Sequence, residues 1–268
     1  MLGAIIGDVV GSRFEFNNIK TKDFELFSDD CYFTDDTVMT CAVALSLYAS
    51  KGEKTASILK MVGRKYPVAG YGSMFYHWIF SDSTKPYNSC GNGAAMRVSS
   101  VGWFAKTEEE VKKLSKLVTE VTHNHPEGLK GAEVTAMCIF KALHGASREE
   151  LRQYIVSMYP EVLVLNYELL RATYKHEEEI CQVTVPQALY CFLISDSFED
   201  CLRTTISIGG DCDTTSAISC AVAEAFYGIP EDFKKEILRY FTPKDRKILI
   251  KPINEIYKSC GLDNYIPL

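Results

Sequence analysis

The chain has 268 residues, 47% of them hydrophobic and 24% charged, with a formal net charge of -6 at pH 7. This balance belongs to a folded globular protein and excludes disordered, collagen-like and low-complexity classes. The negative charge argues against a general nucleic-acid binder, which needs a basic face to displace counterions from phosphates.

The amino-terminal stretch Met1-Leu2-Gly3-Ala4-Ile5-Ile6-Gly7-Asp8 has no positive leader, and its apolar run stops at Asp8, so it does not read as a signal peptide. No apolar run approaches the ~20 residues of a membrane span. Glycine at 3, 7 and 11 predicts a first buried helix over 2–14 that lies close against another backbone, although each internal Gly costs up to ~1 kcal/mol relative to Ala. Glu15 follows between Phe14 and Phe16. That apolar setting tends to raise a carboxyl pKa and suits proton transfer, while a surface Glu beside core Phe residues is the plainer reading. Residues 16–33 read as a long loop of the kind that serves as a lid.

A helix starts at Thr34 and runs to Ala49, opening on the acidic pair of Phe33-Thr34-Asp35-Asp36-Thr37. Gly70-Tyr71-Gly72-Ser73-Met74 and Ser89-Cys90-Gly91-Asn92-Gly93-Ala94-Ala95-Met96-Arg97 are glycine-rich loops ahead of helical runs. In such loops backbone N–H groups can cradle phosphate, though each alone is no stronger a signal than a tight turn. Thr107 with Glu110, Ser147 with Glu150 and Ser197 with Asp200 predict capping boxes. Thr122-His123-Asn124-His125-Pro126 sets two histidines before a helix at 127–144, as ligand contacts or as plain loop residues. Residues 161–166 are the best strand candidate. Pro186 suits the first turn of a helix through Leu189 and Phe192, and Gly228 with Pro230 ends the helix that starts near Asp213. The ten cysteines show no C-x-x-C spacing and sit in apolar contexts, which favours buried free thiols in a reducing cytoplasm. The pattern is all-α, without linkers or repeats, and is read as one domain over 1–268.

The most telling stretch is Ile208-Gly209-Gly210-Asp211-Cys212-Asp213-Thr214-Thr215-Ser216, with no Lys or Arg between Arg203 and Lys234. If the fold joins it to Asp35 and Asp36, four carboxylates share one place. At ~4 Å each like-charged pair costs on the order of 4 kcal/mol even at an effective dielectric of ~20. Helix capping is the structural alternative, but one cap needs one Asp. Carboxylate and threonine oxygens suit Mg²⁺ or Mn²⁺ rather than zinc, and the spacing is not that of an EF-hand. Cys212, between the aspartates, projects elsewhere and is not counted as a ligand.

Taken together and in order, these motifs resemble the ADP-ribosylglycohydrolase family: Gly-Asp-x-x-Gly-x-x-x-Glu-Phe at 7–16, Phe-Thr-Asp-Asp-Thr at 33–37, Gly-Tyr-Gly at 70–72, Gly-Asn-Gly-x-x-Met-Arg at 91–97, Thr-His at 122–123 and Gly-Gly-Asp-x-Asp-Thr at 209–214. The resemblance runs from Gly3 to about Pro230. It implies a compact multi-helix domain with a central cleft holding two Mg²⁺ or Mn²⁺ ions. The implied metal ligands are Thr34, Asp35, Asp36, Asp211, Asp213 and Thr214, and the implied ADP-ribose contacts are Gly72, Ser73, Met74, Ser89, Gly91, Asn92 and His123. Glu15 becomes the catalytic carboxylate. One position departs: relatives often place an aromatic residue before Gly-Asn-Gly, where this chain has Cys90, so Tyr71 or Tyr87 would have to take its part against adenine.

The implied reaction is hydrolysis at the anomeric carbon of ADP-ribose in an ADP-ribosylated protein or small molecule. A non-hydrolysing ADP-ribose reader and a metal-dependent nucleotide phosphoester hydrolase are the rival readings. A monomer is expected, with neither membrane nor nucleic acid as partner.

Overall fold

Apolar residues recur at helical spacing along nearly the whole chain, and among the described residues only helices, turns and loops form. The structure, a computed structural model, describes residues 1–174 and 179–267. In chain order the helices are α1 (Leu2–Gly11), α2 (Asp35–Ser50), α3 (Thr55–Gly63), α4 (Ser73–Phe80), α5 (Gly93–Met96), α6 (Ser99–Phe104), α7 (Glu108–Thr119) and α8 (Pro126–Leu143). They continue as α9 (Arg148–Met158), α10 (Tyr167–Thr173), α11 (Cys181–Ile194), α12 (Phe198–Ile208), α13 (Cys212–Tyr227), α14 (Glu231–Glu236), α15 (Pro243–Asp245) and α16 (Lys251–Ser259). One apolar core links residues from Met1 to Ile266.

All ten residues of α1 are buried, and a short 3₁₀ turn over Ser12–Phe14 carries its path to the predicted end. Its glycines face α13. A Cβ at Gly3 would stand 2.2 Å from the Cys220 carbonyl oxygen, at Gly7 2.4 Å from the Ser216 carbonyl carbon, and at Gly11 2.6 Å from the Asp213 Cα. Numbers rise along one helix as they fall along the other, so the two are antiparallel and nearly in backbone contact. At the far end the buried Met1 amine pairs with Glu224 of α13, which also accepts from the Gly3 N–H and the Tyr257 hydroxyl. At the near end α1 delivers Glu15 beside the start of α13, and α2 packs against both helices with its N-terminus turned to the same place.

The predicted caps form. Ser147 and Glu150 make a reciprocal box, while Thr107 and Ser197 accept from the N–H groups of Glu110 and Asp200. The strand expected at 161–166 does not form: Pro160–Val164 is a 3₁₀ turn. Only Val162 is buried, with Leu163 65% and Val164 79% exposed, so the apolar run has no partner strand to cover it. Pro186 lies inside α11 rather than in its first turn. The helix starts earlier because Gly91 bridges Ile180 and the Cys181 N–H donates to the Cys90 carbonyl, a tertiary pairing invisible in local sequence.

The loop at 16–33, expected as a lid, is strapped to the body. Arg203 donates to the carbonyls of Lys22 and Phe24, Lys22 pairs with Asp200 at 2.9 Å, and Tyr240 donates to the Ser28 carbonyl at 2.8 Å. Phe16, 79% exposed, lies at the mouth of the cleft described below. All ten cysteines are free thiols, eight of them buried. Among the described residues no helix is long and apolar enough to cross a membrane.

The α1–α13 contact carries a direct test. Gly7→Ala forces a methyl group into backbone that cannot retreat without moving a helix, and is expected to cost ~1–3 kcal/mol by overpacking. A denaturant midpoint unchanged from wild type would show that the two helices do not need this approach.

Candidate active site

Three helix ends meet at one point. Thr34 is the N-cap of α2, with Asp35 and Asp36 in its first turn. The chain leaves α12 through Gly209 (φ 75°) and Gly210 (φ 71°), conformations that favour glycine, and so reverses into α13 with Asp211 and Asp213 at its start. There is no room for side chains at this reversal: a Cβ on Gly209 would lie 2.2 Å from Lys20 Nζ, and one on Gly210 2.4 Å from the Tyr174 ring. Asn18 holds the turn from outside, donating to the Gly210 carbonyl at 2.9 Å and accepting from its N–H at 2.8 Å.

Capping is done largely by a residue that was read only as the stop of an apolar run. Asp8, buried on α1, accepts from the N–H groups of Thr34 and Thr37, each at 3.0 Å, and from the Thr34 hydroxyl at 2.7 Å. With Thr34 accepting from the Asp36 N–H, three N–H groups at the start of α2 are satisfied without the side chain of Asp36. Asp211 likewise makes no side-chain cap. Its carboxylate accepts from the Asn92 amide at 2.6 Å, and Asp36 accepts from the Thr214 hydroxyl at 2.9 Å. Asp36 Oδ1 and Asp213 Oδ1 are buried with no hydrogen-bond partner.

Electrostatics follow from this crowding. Among the described residues no Lys or Arg forms an ion pair with Asp8, Asp35, Asp36, Asp211 or Asp213. Burial first, then repulsion from neighbouring carboxylates, pushes Asp35, Asp36 and Asp213 well above the usual carboxylate range. Asp8 is raised by burial to about 6, held down by its hydrogen bonds from Thr34 and Thr37. Oxygens of Asp8, Asp36 and Asp213 lie within 4.8 Å of one another, as do those of Glu15, Asp211 and Asp213. The two trios share Asp213. An all-oxygen, uncompensated donor set with two orphaned oxygens fits hard divalent cations.

This acidic corner is part of a cleft of about 780 Å³. The residues named as catalytic group, metal ligands and ADP-ribose contacts line it: Glu15, the six acidic and threonine positions, and all seven from the glycine-rich loops and His123. Gly72, Ser73 and Met74 are exposed at its rim, whereas Ser89, Asn92 and His123 are buried in its wall. Tyr87 lies beside His123, ring centres 6.1 Å apart, while Tyr71 is buried away from the cleft. Two residues quoted within motifs but given no task belong here, Asp8 beneath the acidic corner with Asp36 and Asp213, and Arg97 in the wall. Asp8 is the lone charge in a wholly buried helix, a signal in itself; Arg97 is 1% exposed and lines the cleft wall.

Among the described residues a helical body carries a ligand-sized cleft, acidic in one corner and glycine-walled elsewhere. The ADP-ribosylglycohydrolase family model matches residues 1–260, and the chain belongs to this family of glycohydrolases. It is 26% identical to human (Homo sapiens) ADP-ribosylhydrolase ARH3, over 96% of this chain and 92% of that protein. Identity is 25% to the ADP-ribosyl-dinitrogen reductase glycohydrolase of Rhodospirillum rubrum, over 98% of this chain and 95% of that one. A solved ADP-ribosylglycohydrolase-related protein complex shares the fold, with a TM-score of 0.72, 21% identity, and coverage of 96% of this chain and 95% of that one.

The raised carboxylates make stability depend on pH. A folded pKa above the unfolded one gives stability that is present at low pH and lost as pH rises through the folded value. Metal-free protein is therefore expected to lose stability as pH rises from 4 through the Asp8 value of about 6 and beyond, and millimolar Mg²⁺ or Mn²⁺ should restore it. Thermal melts with and without chelator measure this; equal melts across that pH range and with either ion would remove the cation reading.

Proposed function

We propose that the protein is a divalent-metal-dependent hydrolase that cleaves the glycosidic bond at the anomeric carbon of ADP-ribose, releasing ADP-ribose from a modified protein or small molecule. The observation that carries this reading is the meeting of uncompensated buried carboxylates, two with orphaned oxygens, in one corner of a ligand-sized cleft. Family membership and the activities named for the relatives support it. Thr34, Asp35 and Asp36 from α2 and Asp211, Asp213 and Thr214 from α13 would hold two Mg²⁺ or Mn²⁺ ions. Such ions supply positive charge that fixes ribose hydroxyls and makes a bound water more acidic.

The chain's own groups have separate tasks. Asp8 takes the Thr34 hydroxyl hydrogen and the Asp36 N–H uses one lone pair of that oxygen, which leaves the other for a cation. Thr214 and Asn92 orient Asp36 and Asp211 in the same way. Glu15, whose oxygens come within 4.8 Å of those of Asp211 and Asp213, handles the proton: water adds to the anomeric carbon as the bond to the acceptor breaks, and one proton passes from the water to the leaving atom. Ser89, Gly91, Asn92 and His123 form the diphosphate wall, and Gly72, Ser73 and Met74 the rim. Tyr87 supplies the aromatic face that Cys90 lacks. The free buried thiols suit the reducing cytoplasm.

Two substitutions and a product analysis test the reading. Glu15→Gln should retain ADP-ribose binding by calorimetry while turnover falls about 10²–10⁴-fold. Asp213→Ala should lose both metal binding and turnover. A panel of arginine- and serine-linked ADP-ribose and O-acetyl-ADP-ribose, with Mg²⁺ and Mn²⁺ side by side, should yield free ADP-ribose. Unchanged substrate throughout would mark a non-hydrolysing reader, and AMP with ribose phosphate a phosphoester hydrolase.

A further inference from the structure

Within the cleft wall a hydrogen-bonded chain runs from His123 to Thr122 and Arg97. Arg97 is buried, and among the described residues no carboxylate pairs with it. Its Nη2 donates to the Thr122 hydroxyl oxygen at 2.7 Å and lies 3.4 Å from His123 Nδ1, while Thr122 Oγ1 stands 2.8 Å from the same Nδ1. A guanidinium can only donate. Thr122 Oγ1 accepts from Arg97, and with its own hydrogen turned to Nδ1 that nitrogen faces two donors. In that arrangement the ring proton is on Nε2. Burial, with the Arg97 charge second, also holds His123 well below the usual histidine range, which keeps the ring neutral.

His123 is 5% exposed, and its Nε2 faces the glycine wall. It would lie 3.3 Å from a Cβ on Gly93 and 3.6 Å from one on Gly91. Among the described residues, nothing accepts from it. A buried donor aimed into an open, side-chain-free part of a cleft calls for an acceptor on the ligand.

We propose that Arg97 and Thr122 are positioning residues that lock His123 in its Nε2–H form, so that it donates to the diphosphate of a ligand lying over Gly91 and Gly93. This rests on the ADP-ribose reading above. The relay gives a neutral donor where a mobile or protonated ring would otherwise stand, and sets its direction before ligand arrives.

The test pairs a ligand-free readout with a ligand-bound one on the full chain. Imidazole ¹⁵N shifts of His123 should report a single Nε2–H tautomer in wild type. Arg97→Met should move the proton partly or wholly onto Nδ1 and weaken ADP-ribose about tenfold by calorimetry, the loss of one bond to a charged group. Arg97→Lys, which keeps a donor, should recover both within about threefold. Thr122→Val, which removes only the hydroxyl link, serves if Arg97→Met does not fold, and should shift the same nitrogens with a smaller loss of affinity. Nitrogen shifts like wild type in every folded variant would overturn the relay. Altered shifts with unaltered affinity would overturn the donor role. Wild type that binds inorganic pyrophosphate through His123 but no ADP-ribose would sink the ADP-ribose reading and leave the relay standing.

Discussion

The near-contact of α1 and α13 is the constraint on which the rest depends. Glycine at every fourth position removes the side chains that would hold two antiparallel helices a normal distance apart, and the stacked backbones fix where both helices end. That geometry puts Asp8 and Glu15 of the first segment within reach of Asp213, about two hundred residues away. Each glycine lowers intrinsic helix stability by up to ~1 kcal/mol. Complete burial of α1 in the core and the anchoring of Met1 and Gly3 on Glu224 offset that loss. The opposing force is local: carboxylates gathered without a basic partner repel, and would drive α1, α2 and α13 apart at this end.

Capping and cation binding made competing claims on the same aspartates, and the hydrogen bonds separate them. Asp8 and Thr34 satisfy three N–H groups at the start of α2, and Asp36 Oδ1 and Asp213 Oδ1 remain buried without partners. A buried unpaired carboxylate oxygen is costly unless a ligand covers it. Helix ends supply position and partial positive charge, and the acids exceed what that charge can stabilise.

Much of this was legible from residue order because the signals are local. Four-residue glycine spacing, caps, and acid pairs at helix starts are each read within a few residues, and they give the all-α fold and the floor of the site. What was missed depends on distant pairing. The start of α11 is set by Gly91 and Cys90, ninety residues earlier, which overrides the cue from Pro186. Residues 161–166 carry strand-type composition but no partner edge, so the chain turns instead. The loop at 16–33 has the length of a lid, yet Arg203 and Tyr240 strap it down from parts of the chain that sequence spacing does not connect to it. Asp8 was the recoverable omission, since a single charge within a helix of small apolar residues needs a buried partner.

The cleft solves two opposite solvation problems within a short span. In the acidic corner carboxylates are concentrated and, among the described residues, no Lys or Arg pairs with them, which would suit a metal ion. Along the wall, among the described residues, no carboxylate pairs with buried Arg97, and burial holds His123 well below the usual histidine range, which would suit an anion. Asn92 joins the two, its amide donating to Asp211 while its backbone N–H donates to the Glu179 carbonyl, next to the bridge at Ile180. Under the proposed reading, ribose hydroxyls would meet the acidic corner and phosphates the wall, which would leave the exposed rim at Phe16 and Met74 to meet the group that the ribose carries.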